Sequence, residues 1–219
     1  MNNINWQNEF LSVLKNFNVN DNNGEKPKVL LHCCCAPCAT VCIEKLKSIA
    51  EVTAYFYNPN MDSEKEYNLR AKEQQRLIDE MAHHHPVSLI VGDYTPERFN
   101  EIAKGHENDP EGGERCFNCY RLRLEEAARS AADGGFDYFT TTLSISPLKN
   151  AAKLNEIGKE LADKYGVSYL FSDFKKREGY KRSCQLSAEY ELYRQDYCGC
   201  IYSKRDAVLR NAKKANNHA

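Results

Sequence analysis

The chain has 219 residues, 42% apolar and 28% charged, an ordinary globular balance for one α/β domain with a sizeable core. A net charge of −1 excludes a protein that is basic all over, though not a local basic face. No apolar stretch approaches the ~20 residues of a membrane span, and the opening MNNINWQNEF has no basic segment followed by an apolar run, so the chain is expected to be cytoplasmic, without a signal peptide or membrane partner.

Trp6, Phe10, Leu11, Leu14 and Phe17 recur at roughly helical spacing and predict a short amphipathic helix docked on the domain. The polar run NVNDNNGEKPK reads as a linker, so residues 1–25 form an N-terminal helix and linker. Val29–Leu31 reads as a strand, followed by a helix over Ala39–Ile49. Val52–Tyr57 is the second strand, and Asn58-Pro59-Asn60 stops it. A long polar helix covers Ser63 to Ala82, and Val87–Val91 is the third strand. Thr95 and Pro96 open another helix, as N-cap and first helical residue. Gly105–Glu114 is a polar loop and Phe117–Ala132 a helix. Tyr138–Leu143 is the fourth strand, Asn150–Lys164 a helix and Tyr169–Phe171 the fifth strand. The remainder is expected to be helical. Residues 26–205 form the α/β domain and residues 206–219 a basic C-terminal tail.

This alternation predicts a single α/β domain, nucleotide-hydrolase-like, with a five-stranded, mainly parallel sheet and helices on both faces. Right-handed crossovers and the strand order 3-2-1-4-5 place a crevice at the carboxyl ends of strands one and four.

Ten cysteines fall mostly into three clusters. In a reducing compartment such clusters read as metal-binding or catalytic, not as a disulfide framework. The first, His32-Cys33-Cys34-Cys35-Ala36-Pro37-Cys38, leaves a strand and enters a helix at the crevice. Free N–H groups and the helix dipole there favour thiolate. The second, Cys116-Phe117-Asn118-Cys119, places two thiols three residues apart at a helix start. Two thiolates from the first group and this pair make a four-cysteine site, which suits structural zinc and a [4Fe–4S] cluster alike. The third is Tyr197-Cys198-Gly199-Cys200, where Gly199 lets the backbone bend; a disulfide across one residue is strained and easily reduced, a property of a redox pair.

Plainer readings stand beside these. Cys33 points into the sheet packing, and Cys42 and Cys184 read as small buried hydrophobes. His83-His84-His85 ends a helix before Pro86 and reads as a solvated terminus. Cys35-Ala36-Pro37-Cys38 between strand and helix also fits a thioredoxin-like thiol–disulfide oxidoreductase, which leaves the other cysteines without a role. A zinc-stabilised RNA-binding module without catalysis is the remaining alternative.

The runs HCCCAPC, YNPN, ERCFNCYRLRL, FTTTLSISPLKN and YRQDYCGCIYS, in this order from Lys28 to Ser203, resemble the cobalamin-independent epoxyqueuosine reductases. The resemblance implies reduction of the epoxide of epoxyqueuosine to the cyclopentene of queuosine in tRNA, the last step of queuosine biosynthesis, with the oxygen lost as water. It implies a [4Fe–4S] cluster on Cys34, Cys35, Cys116 and Cys119, and a redox-active pair at Cys198 and Cys200. It allows an additional iron beside the cluster, with Cys38 as the natural further ligand. Residues 26–205 are then the iron–sulfur catalytic domain, served by an unidentified electron donor. Tyr57, Asn58, Asn60 and Ser146 are candidate proton donors. The wobble nucleotide lies in an anticodon loop, so bases are expected to stack on aromatic or Arg side chains. Lys175, Lys176 and Arg177 lie in a segment that mixes aromatics with positive charge, a candidate grip on tRNA phosphates, which Arg121, Arg123 and the tail extend.

Overall fold

The computed structural model describes residues 6–17, 26–81 and 86–216. Five strands form one parallel sheet: β1 (Lys28–Cys33), β2 (Glu51–Phe56), β3 (Val87–Val91), β4 (Tyr138–Thr141) and β5 (Ser168–Tyr169), in the order β3-β2-β1-β4-β5. This is the expected architecture. β1 lies at the centre because its run Val29-Leu30-Leu31 is apolar on both faces, as a strand covered by helices on both sides requires. Its side chains alternate. Val29, Leu31 and Cys33 enter the core under α2 (Ala36–Leu46) and α3 (Glu64–Met81), while Leu30 enters the core under α5 (Glu114–Asp133) and α6 (Ala151–Tyr165).

The N-terminal helix, α1 (Trp6–Phe17), docks as expected: Trp6 stacks on Phe171 with ring centroids 5.0 Å apart, and Phe10 meets Phe174 edge-on at 5.2 Å. The remaining helices are α4 (Pro96–Ala103), opened by Thr95 and Pro96, α7 (Gly179–Glu189) and α8 (Ile201–Asn216). The linker at residues 18–25 and the histidine triplet at residues 83–85 lie outside the described residues. Among the described residues no helix is long and apolar enough to cross a membrane.

Several boundaries differ from the sequence reading. α2 begins at Ala36, three residues early, because Cys35 takes the extended N-cap conformation and Pro37 sits in the first turn. α5 begins at Glu114, after Gly113 as N-cap, so Cys116 and Cys119 lie inside the helix. β4 stops at Thr141, whose side chain accepts from the Leu143 N–H and starts a 3₁₀ turn over Thr142–Ile145. The fifth strand ends at Tyr169, although the Leu170 N–H still donates to the Phe139 carbonyl. The stretch after it is not continuously helical. Arg177 and Glu178 adopt left-handed φ angles of 52° and 61°, and Glu191 one of 48°, which break it before and after α7. The C-terminal basic segment is helical through Asn216.

The strand ends that carry the cysteines are fixed by buried polar bonds. His32 is fully buried, and its Nε2 lies 3.1 Å from the Tyr57 carbonyl, which can only accept. Nε2 therefore carries the proton, and Nδ1 accepts from the Thr141 hydroxyl at 2.9 Å. Burial, and then the charge of Arg123, lower its pKa to about 3, so the ring is neutral. β1 is thereby tied at its carboxyl end to β4 and to the turn after β2.

Candidate iron–sulfur site

Cys34 and Cys35 emerge from the carboxyl end of β1, and Cys38 faces them from the first turn of α2. Their three sulfurs all lie within 4.8 Å of one another, and those of Cys34 and Cys35 are 3.8 Å apart. Among the described residues this is the one group of three or more potential ligands so arranged. All ten cysteines are free thiols. No side chain caps α2, so its first N–H groups and dipole act on the trio. Cys34 is held well below the usual thiol value, first by hydrogen bonding from Cys35, then from Cys38, with Arg123 and Thr142 adding to it. Its partner Cys35 is pushed up to about 12, chiefly by that same bond with Cys34. One thiolate, shared by hydrogen bonding, is the favoured state of the trio.

Cys116 and Cys119 lie one turn apart on α5. Cys119 is buried, in a small apolar cluster with Phe99, Leu122 and Cys200, and burial pushes its thiol up to about 12. Cys116 accepts from the Gly112 N–H at 3.3 Å and packs against the apolar cluster that contains Cys34 and Cys35.

Two cavities meet here. A cavity of about 430 Å³ opens over Cys34, Cys35 and Cys38, walled by Leu143, Ile145, Pro147 and Leu148. That volume is ample for a nucleobase with its substituent. A second space of about 20 Å³, little more than one water, is lined by Cys116, Cys119, Cys198 and Cys200. Glu111, Lys149 and Cys198 line both and form the wall between them. The first trio is therefore gathered at ligand spacing, and the α5 pair stands across that wall from it.

The turn of the third cluster is docked on the segment after β2. The Asp62 N–H donates to the Gly199 carbonyl at 2.8 Å, and Arg70 reaches the Cys198 carbonyl at 3.3 Å. Gly199 has φ +126°, and a Cβ there would lie 2.6 Å from the Met61 sulfur. Gly199→Ala is therefore expected to cost about 1–3 kcal/mol in a denaturant titration, through strain and overpacking together. An unchanged midpoint would show that the turn is not held as described. Cys198 is half-buried on the shared wall; Cys200 is buried and accepts from the Ser203 N–H at 3.3 Å.

Of the other cysteines, Cys33 and Cys42 are fully buried in the core, as expected, and burial raises both thiols well above their usual value. Cys184 departs from expectation: it is only half-buried, and its sulfur accepts from Arg194 at 3.3 Å. Among the proton-donor candidates, the Tyr57 hydroxyl is engaged by Thr95 and Arg98 and lines neither cavity. Asn58 accepts from Arg123 and donates to the Cys33 carbonyl. Asn60 is buried beside the small cavity with both amide atoms unpartnered, and Ser146 lines the large one.

The sequence reading missed the buried cations around these thiols. Lys149 is almost fully buried, 3.4 Å from Glu111. Burial works against its charge, but Cys198, Tyr120 and Glu111 outweigh that and hold its pKa well above the ordinary lysine value. Arg70, Arg115 and Arg123 are also buried. Arg123 is only 1% exposed, so it cannot extend a surface patch toward tRNA, as the sequence suggested. The signal was present in its spacing: Cys116, Cys119 and Arg123 recur at i, i+3 and i+7, one face of α5. Lys176 and Arg177 are exposed, Lys175 is half-buried and pairs with Asp173 at 2.8 Å, and Arg121 pairs with Glu160.

The chain is similar to a family of known proteins. The model of the family "Epoxyqueuosine reductase QueH" matches residues 29–206. A relative of that name from Staphylococcus epidermidis is 40% identical over 212 residues, covering 90% of this chain and 89% of its own. One from Streptococcus pyogenes is 41% identical over 182 residues, covering 82% and 71%. One from Thermotoga maritima is 35% identical over 188 residues, covering 84% and 94%. A solved structure, the U34-tRNA thiolase NcsA from Methanococcus maripaludis with its [4Fe-4S] cluster, is 12% identical with a TM-score of 0.47, covering 94% of this chain and 74% of that one.

Proposed function

The chain belongs to the epoxyqueuosine reductase QueH family, and from that premise we infer that it reduces epoxyqueuosine to queuosine in tRNA, the last step of queuosine biosynthesis. The observation that carries the reading is the trio Cys34, Cys35 and Cys38, converging at the switch point of the sheet on a nucleobase-sized cavity. A tRNA substrate, and thiols that need reducing surroundings, support a cytoplasmic location.

The donor set fits a [4Fe–4S] cluster. It offers free thiols in two groups, buried at Cys34, Cys35 and Cys119 and half-buried at Cys38 and Cys116, a helix N-terminus aimed at one group, and a buried guanidinium beside the other. We assign Cys34, Cys35, Cys116 and Cys119 as its ligands. The closeness of Cys38 to Cys34 and Cys35 favours a second ligand set, in which Cys38 replaces one of the α5 pair. In the first set Cys38 is available to an additional iron. When bound, such a cluster supplies electrons one at a time.

Turning an epoxide into an alkene and water consumes two electrons and two protons. Closing the Cys198 and Cys200 thiols into a disulfide releases the same number, which supports their role as the redox pair. A cellular electron donor must then restore the dithiol. Lys149, charged on the wall shared by both cavities, is a proton source at Nζ. Leu143 and Ile145, both buried, give the cavity an apolar wall, with Pro147 and Leu148 at its exposed rim, and Tyr180 and Tyr197 offer rings for base stacking. The test is anaerobic incubation with tRNA carrying epoxyqueuosine and a chemical reductant, followed by nucleoside mass analysis. Conversion to queuosine, lighter by one oxygen, is the expected result; an unaltered nucleoside would refute the reading.

The exposed Lys176 and Arg177, with Lys175 behind them, precede α7, whose Tyr180 and Ser183 line the large cavity. We assign this segment to tRNA phosphates. Replacing Lys176 and Arg177 by Ala should reduce the salt slope of tRNA binding by about one to two units. Lys175→Ala should change it less, because Asp173 already neutralises that charge. An unaltered slope in the double variant would move the binding face elsewhere.

A further inference from the structure

Four buried cations surround the thiols, and three of them have local partners. Arg70 pairs with Glu66 at 2.7 Å. Lys149 pairs with Glu111. Arg115 donates through Nη1 to the carbonyls of His106, Glu107 and Asp109 at 2.7–3.1 Å, and its guanidinium lies over the Tyr202 ring.

Arg123 is the least satisfied of the four: among the described residues it, like Arg115, has no carboxylate within ion-pair distance, and it lacks the carbonyl acceptors that Arg115 has. It donates from Nη2 to the Asn58 side-chain oxygen and its side chain interacts with the Cys119 thiol, while Nε and Nη1 have no oxygen or nitrogen partner. A guanidinium buried to this degree without an anion costs several kcal/mol. Fixing the orientation of Asn58 uses one nitrogen and leaves the other two unexplained. The groups that act on the Arg123 charge are Cys119, Cys198 and Cys34, thiols from all three cysteine clusters. Asn58 in turn donates to the Cys33 carbonyl at 3.0 Å, which anchors the guanidinium to the strand end that bears Cys34.

A [4Fe–4S] cluster on four thiolates is an anion, and uptake of one electron makes it more negative by one charge. A fixed positive charge beside it stabilises the reduced form more than the oxidised form, because the local dielectric is low. We propose that Arg123 is the buried counter-charge of the cluster, a positioning residue that favours the reduced state and so raises the potential at which the cluster accepts its electron. The inference rests on the cluster reading above. It accounts for the pair of orphaned nitrogens and for the spacing of Arg123 after Cys116 and Cys119.

The test is a midpoint titration of the anaerobically purified full chain, followed by absorbance, with iron and sulfide measured on the same samples. Arg123→Gln keeps an amide for Asn58 and removes the charge. It should lower the reduced-to-oxidised ratio at the wild-type midpoint about tenfold or more, which for one electron is about 59 mV. Arg123→Lys keeps the charge and should stay within about threefold of wild type. Asn58→Asp sets a carboxylate against an intact Arg123 and should shift the ratio in the same direction as Arg123→Gln. This third variant remains decisive if Arg123→Gln fails to fold or to load. An Asn58→Asp midpoint equal to wild type, with the cluster present, overturns the counter-charge role and leaves the cluster reading standing. Wild-type protein without iron and sulfide overturns both.

Discussion

Cys34→Ser and Cys119→Ser are each expected to lower conversion of epoxyqueuosine tRNA about 10³-fold or more, and to lose most of the iron and sulfide. The two positions test the two halves of the site separately. Cys34 stands at the end of β1 with its thiol proton readily lost, and Cys119 stands on α5 across the shared wall. If only the first substitution removed iron, the ligand set would lie within the trio of Cys34, Cys35 and Cys38, and α5 would serve another purpose. Cys42→Ser is the control. Its sulfur is buried in the core and bonds the Cys38 carbonyl at 3.4 Å, so it should cost stability without changing the metal content. Retention of full metal and activity by both the Cys34 and Cys119 variants would contradict the assignment.

The second large effect concerns the dithiol. Cys198→Ser and Cys200→Ser should each slow multiple turnover about 10²-fold while leaving iron, sulfide and absorption at the wild-type level. Cys198 has a place on the wall of the large cavity, and Cys200 lines the small space beside Cys119. A dithiol that stores the electron pair needs both sulfurs, so the two variants should be equally impaired. Loss of the cluster in either one would make that cysteine a ligand and not a redox group. Tryptic mapping of thiols after one turnover, without added reductant, should find Cys198 and Cys200 joined.

The strand order was legible because each strand is a short apolar run bounded by Pro, Gly or Asn, and each crossover is helical. β1 identified itself as central by being apolar on both faces, and its carboxyl end as the crevice followed from topology. The starts of α2 and α5 were harder to read. Cys35 caps α2 through an extended backbone and no side-chain bond, and Gly113 caps α5, so neither leaves the Ser, Thr or Asp signature of an N-cap. The breaks around α7 depend on left-handed φ angles at Arg177, Glu178 and Glu191, none of which is Gly or Asn.

The thiols of the site were legible for a simpler reason: three clusters of cysteines in one chain call for a common purpose. The charges that face them were not. An arginine on a polar helix reads as solvated, and Arg123 stands among Glu and Arg residues that do face water. Only the packing of α5 against the sheet turns that one position inward. Lys149 follows Pro147 and Leu148 in a loop, where no periodicity indicates which way a side chain points.

The central claim is that these thiols hold iron and sulfide. Its most direct test is the iron, sulfide and zinc content of anaerobically purified protein, read with its absorption spectrum. The structure and family together predict a brown protein with broad absorption near ~400 nm and about four irons and four sulfides per chain. Colourless protein holding one zinc per chain would contradict it.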